Sequence, residues 1–269
     1  MRALHAVLVS LLVLTAGCGA SLGGGDDAST VAPRLAGTPG ETTTTPVLPN
    51  GSLPPGVAPD DADQVDERGL YLAHERTLDG RSVTWRHQRL WTNATGSVVA
   101  WRTSTSWRDG AAQRHASASG GTDPALAGGT PTEFDYWTDG DVFLTRQRLA
   151  DGTVRRTAAD GGPPSRIANI GAGRTTLESV LTGVDLRYVG VDRDGAGDDY
   201  DTAVHLLAAT PDGGRLTLRV TASGVVRSFL LRTEVVVDGE PLTVVRRFRT
   251  SDVGETVVER PAWTPNGTD

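Results

Sequence analysis

The chain has 269 residues, 38% of them hydrophobic, and a formal net charge of −7. That length holds one large or two small domains, and the acidic balance argues against nucleic-acid binding, which rests on clustered cations. All 26 cationic side chains are Arg and there is no Lys, a bias that suits a GC-rich genome and a salty habitat. With one cysteine, no intramolecular disulfide can form.

Met1 and Arg2 precede an apolar run from Ala3 to Leu14. About a dozen residues suit the core of a signal peptide and are too few to span a bilayer as a helix. The run ends in Leu14-Thr15-Ala16-Gly17-Cys18, which resembles the lipobox of prokaryotic lipoproteins, with Thr15 where Leu is usual. The resemblance implies cleavage after residue 17 and a lipid on Cys18. The chain would then be held on the outer face of the cell membrane. One acyl chain anchors only marginally, whereas a diacylglyceryl group supplies two.

Residues 18–56 form a Gly-, Thr- and Pro-rich stretch, including Gly23-Gly24-Gly25 and Thr42-Thr43-Thr44-Thr45-Pro46. Such composition buries little apolar surface and reads as a stalk. Glycosylation sequons start at Asn50, Asn93 and Asn266.

Residues 57–265 read as a β-rich globular domain, followed by a tail at 266–269. A helix is expected over Asp60–Leu78, with acidic residues in its first turn and Val65, Gly69, Leu72 and Ala73 on its packing face. Strands follow. Val83, Trp85 and Trp91 share one face of the first, interrupted by His87 and Arg89. Val99, Trp101 and Trp107 share a face of the next, after a turn at Asn93-Ala94-Thr95-Gly96. Further turns are expected at Asp139-Gly140, Asp151-Gly152, Ser223-Gly224 and Asp238-Gly239. A second helix is expected from Thr175, where Thr175 and Glu178 have capping-box spacing. Leu216, Leu218 and Val220 alternate with polar neighbours in the carboxyl half. The fold class is mainly β with some helix: a curved antiparallel sheet or half-barrel with one or two helices packed on its concave face.

That order of elements resembles the lipoprotein-carrier fold, carried by the strand–break–strand at Leu216–Arg232 and by Val244–Ser251 with Asp252-Val253-Gly254. With Leu53-Pro54-Pro55-Gly56-Val57, Leu72-Ala73-His74 and Val257-Val258-Glu259-Arg260-Pro261, the chain is also similar to a family of lipoproteins from salt-loving archaea. The carrier resemblance implies an apolar cavity between sheet and helix.

Catalytic signals are weak. Gly19-Ala20-Ser21-Leu22-Gly23 matches G-x-S-x-G but lies in the stalk, without the strand and helix that a nucleophile elbow needs. Asp192, Asp194 and Asp198 form an acidic loop, yet Ala203 stands where a calcium loop has its bidentate Glu. These are weak metal candidates. His74, His87, His115 and His205 lack metal-ligand spacing, and His74 and His205 read as packing or surface residues. Gly171-Ala172-Gly173 falls short of a dinucleotide fingerprint. No catalytic residue and no cofactor is assigned.

The Trp set reads as core first and ligand surface second, with Trp85, Trp101 and Leu72 as candidate ligand contacts. Arg246, Arg247 and Arg249 read as a solvated face paired with nearby carboxylates, with anionic headgroups as the alternative. Two functions follow. One is a tethered binding or carrier module for an apolar or lipid-like ligand. The other is a structural or interaction module of the cell envelope with a solid core. An exported hydrolase is the minor alternative.

Overall fold

The computed structural model describes residues 53–58, 61–129, 131–164, 173–192, 204–211 and 214–264. Cys18, Asn50, Asp194, Asp198 and Asn266 lie outside them, as do the signal peptide, most of the stalk and the G-x-S-x-G motif.

Strands β1 (Val57–Ala58) and β2 (Asp61–Val65) form a small antiparallel pair before helix α1 (Glu67–Leu78). A meander follows: β3 (Val83–Thr92), β4 (Val98–Asp109), β5 (Ala112–Gly121), β6 (Glu133–Thr138), β7 (Val142–Arg148) and β8 (Val154–Asp160). A 3₁₀ turn at Pro124–Ala127 lies between β5 and β6. Helix α2 (Gly173–Leu181) precedes a second meander: β9 (Arg187–Asp192), β10 (Val204–Ala209), β11 (Arg215–Thr221), β12 (Val226–Val237) and β13 (Glu240–Ser251).

The two meanders make one curved, eleven-stranded antiparallel sheet that does not close into a barrel. Its order is β8-β7-β6-β5-β4-β3-β13-β12-β11-β10-β9. The first strand of the first meander therefore pairs with the last strand of the second, at the centre of the sheet. The expected curved sheet with helices on one face is present. At one outer edge, every residue of β8 is exposed, including Arg155 and Arg156. Charge on an edge strand discourages pairing with a further strand.

Both helices pack on one half of one face. Leu70, Tyr71 and Leu78 of α1 join Leu177, Val180 and Leu181 of α2 over Trp85, Phe248, Phe229, Leu231, Leu216, Leu218 and Leu207. Successive side chains in a strand point to opposite faces. Leu216, Leu218 and Val220 are thus all core, while Arg215, Thr217 and Arg219 face out.

The first helix is shorter than expected. Residues 61–65 are strand, and the helix begins at Glu67 because the Asp66 side chain caps it, accepting from Gly69 N–H at 2.9 Å. Its buried face is Leu70, Tyr71, Ala73, His74 and Leu78, with Leu72 only partly buried. Val65 belongs to β2, and Gly69 sits against the capping carboxylate of Asp66. Thr175 lies inside α2, which starts at Gly173, so the capping-box spacing does not mark its first residue.

Candidate functional site

α1 and α2 lie over the β9–β13 and β3 half of the sheet. The same face of β4–β7 has no α-helix of the described residues over it, and only the short 3₁₀ turn at Pro124–Ala127 packs on one end of it, against Trp91 and Ala100. Register fixes what that face carries, and its first row is buried even without a helix above it: Ser106, His115, Tyr136 and Thr145 are each at most 6% exposed. Trp85 pairs with Ser106, which pairs with His115, which pairs with Tyr136. Phe248 pairs with His87, then Ser104, Ser117, Phe134 and Gln147 follow strand by strand. Apolar rows under the helices thus give way to Ser, His and Gln. A recess of about 130 Å³ sits here, bounded by Arg102, Ser117, Ser119, Phe134, Gln147 and the 3₁₀ turn at Gly128.

One further row crosses the boundary between the two halves. Arg246 of β13 pairs with Arg89 of β3, and Arg89 pairs with Arg102 of β4. Ser119 continues the row on β5 and Leu231 on β12. The side chains are held. Arg89 lies over the Trp91 ring at 4.5 Å, and Arg246 Nη2 donates to Ser179 Oγ of α2 at 3.1 Å. Among the described residues none of the three is ion-paired with a carboxylate, whereas Arg146, Arg148 and Arg219 all are.

The histidines are neutral core groups. Burial pushes His74, His87 and His115 down to about 4. Nearby arginines add to the effect: Arg108 for His74, Arg102 for His115, and Arg246, Arg89 and Arg102 for His87. His115 Nδ1 is hydrogen-bonded to Ser106 Oγ at 2.8 Å, and its ring stacks on Tyr136. His205, fully buried and likewise pushed down by burial, lies 3.3 Å from the Tyr188 hydroxyl. His74 and His205 are thus packing residues, not surface ones.

The candidate ligand contacts do not converge. Trp85 faces the helices and is buried in the core, with Leu72 packed partly buried against the same cluster. Trp101 pairs with Leu90 and Gly120 and points from the opposite, convex face. The arginines of β13 are also split by alternation: Arg246 faces inward, while Arg247 and Arg249 are exposed on the convex side. The expected carboxylate partners of those outer two are absent among the described residues. Arg247 donates instead to Gln88 Oε1 at 3.2 Å. Asp192 accepts from Arg219 Nε at 2.6 Å. The described residues contain no group of three His, Cys, Asp or Glu arranged to hold a metal ion. Asn93 heads the β3–β4 turn, its Oδ1 accepting from Thr95 N–H, Ser97 N–H and the Thr95 hydroxyl.

Sequence reasoning missed the arginine row. The only signal for it was the interruption of the Trp85–Trp91 face by His87 and Arg89, polar residues on a face that was otherwise apolar.

Comparison with protein-family models and with curated proteins gives no match. Among solved structures, the chain is similar to one titled as the MucA/MucB complex of Pseudomonas aeruginosa. Identity is 19% and the TM-score 0.29, covering 76% of this chain and 68% of that one. A second, of MucB in complex with MucA(peri), gives 18% identity and a TM-score of 0.26 over 76% and 66%. PNGF-II gives 8% identity and a TM-score of 0.24 over 68% of this chain and 30% of that one. Overlap at this level is too slight to transfer a ligand, a partner or a site residue to this chain.

Proposed function

We propose that this is an extracytoplasmic lipoprotein, tethered through Cys18, whose sheet domain is a binding or interaction module and not an enzyme. Its partner is received on the open half of the concave face. The observation that carries the reading is the division of that face. One half is sealed by α1 and α2, and the other presents Arg102, Ser117, Ser119, Gln147 and Phe134 around a recess. The tether is supported by the Leu14–Cys18 sequence. No helix of the described residues is long and apolar enough to cross a membrane.

A solid core is favoured over an apolar-ligand cavity between helix and sheet. Leu70, Leu78, Leu177, Leu181, Leu207, Leu216 and Leu218 are each at most 2% exposed. They occupy the space that such a ligand needs. The test is native mass spectrometry of the full chain purified from its own membrane, beside fractionation of Cys18→Ser. The expected result is no co-purifying apolar lipid and loss of membrane retention on substitution. A stoichiometric apolar lipid would restore the carrier reading, and unchanged retention of Cys18→Ser would remove the tether.

A further inference from the structure

Arg246, Arg89 and Arg102 stand side by side on adjacent strands of the concave face. Directly paired residues in a sheet have their Cβ atoms about 5 Å apart, and like charges so placed destabilise the pairing. Three guanidiniums in one row, with no carboxylate of the described residues paired to them, is a costly arrangement for folding alone. Elsewhere in this sheet the problem is solved differently: Arg146 reaches Asp135 at 2.5 Å, and Arg148 reaches Glu133 at 3.2 Å.

We propose that Arg89, Arg102 and Arg246 form a binding site for a phosphate-type oxyanion, either free phosphate or a phosphoester headgroup. The site deepens the binding-module reading by naming the chemistry received at the edge of the open face, and in that sense rests on it.

Several features fit this chemistry. Guanidinium forks match the oxygen spacing of phosphate, and two or three of them neutralise a dianion that one alone would not. Two of the three members are preorganised: the Trp91 ring holds Arg89 at the middle of the row, and Ser179 holds Arg246 at one end. Arg102, exposed on the same face, lines the recess beside Ser119, whose hydroxyl adds a donor, and Ser117, whose hydroxyl donates to the Phe134 carbonyl at 3.3 Å. The Nε atoms of Arg89 and Arg246 and His87 Nε2 are buried with no hydrogen-bond partner. The row is also under electrostatic stress. Arg246 is pushed down to about 10 by burial and by Arg89, and Arg89 is pushed down by burial and by Arg102. No carboxylate among the described residues contributes to either shift. A bound anion would relieve both.

The convex arginines provide the control. Arg247 is a cation on the same strand but on the other face, bonded to Gln88.

The test is isothermal titration calorimetry of the full chain at low salt with two probes, inorganic phosphate and glycerol phosphate. Arg246→Gln, Arg102→Gln and Arg247→Gln are titrated in parallel, with folding checked by circular dichroism. Binding of either probe, weakened about tenfold or more by Arg246→Gln or Arg102→Gln and less than about twofold by Arg247→Gln, is expected. Tighter binding of phosphate assigns the free anion, and tighter binding of glycerol phosphate assigns a headgroup. Should Arg246→Gln fail to fold, the exposed Arg102→Gln decides. Binding of neither probe, or equal loss from Arg247→Gln, overturns the proposal. Either result leaves the partner-binding role of the open face to be judged separately by cross-linking.

Discussion

His74 Nδ1, on α1, accepts a hydrogen bond from the backbone N–H of Val226 at 3.0 Å. This bond ties the first helix to the start of β12 and requires a neutral imidazole with its proton on Nε2. The ring is 1% exposed and meets Phe248 edge-on. Protonation would break the bond and bury a charge near Arg108.

Acid should therefore destabilise the fold well above the carboxylate range. His74, His87 and His115 are pushed from 6.5 to about 4 in the folded chain. A depressed folded value means that the unfolded chain binds the proton first. The stability these groups contribute is complete above pH 6.5 and drains as pH falls from 6.5 toward 4. Each accounts for about 3 kcal/mol once the loss is complete, at 1.36 kcal/mol per pH unit. Denaturant melts at pH 7.5 and 4.5 measure it, and His74→Leu should flatten the slope. Equal stability at the two pH values would contradict the prediction.

The core under the helices should be sensitive to truncation. Leu216 and Leu181 are fully buried, one on β11 and one on α2. Replacing either by Ala should cost about 2–5 kcal/mol, from lost transfer energy and a residual cavity. Exposed Val236→Ala, at 73% exposure, should change stability by less than about 0.5 kcal/mol. Chemical denaturation distinguishes them.

Two glycines should separate strain from contact. Gly224, in the β11–β12 turn, has φ +90°, and a Cβ there would lie 2.8 Å from Ala73 Cβ on α1. Gly96, in the β3–β4 turn, has φ +81° with nothing within 4 Å of the added atom. Both Ala substitutions meet left-handed backbone strain of roughly 1–2 kcal/mol. Gly224→Ala should lose more, because it also pushes α1 off the sheet. Equal losses would show that the turn can move away from Ala73.

Much of the sheet was legible because short-range chemistry specifies it. Asp238 and Gly239 have φ 51° and 84°, the pair of positive values that a two-residue hairpin turn requires. Asn93 with Gly96, and the alternation of Leu216, Leu218 and Val220, acted equally locally. Asp61–Val65 was not legible as a strand, because its acidic residues resemble a helix first turn and its pairing with Val57–Ala58 is irregular.

Which tryptophans share a face depended on one irregularity. The register shifts between Trp91 and Thr92, which sets Ala100 opposite Trp91 and sends Trp101 to the convex side. A one-residue change of register reverses a strand's faces, and no local pattern announces it. The arginine row was hidden for a similar reason. Arg89 and Arg246 come together only because β3 pairs with β13, the opposite ends of two meanders.

The proposed function places the partner on the open half of the concave face. Photo-cross-linking in intact cells tests it most directly, with the probe placed at Ser117 in the full chain and, separately, at Val236 on the convex side. A discrete adduct from Ser117 and none from Val236 is predicted. Adducts from Val236 alone, equal adducts from both, or none from Ser117 would contradict the account.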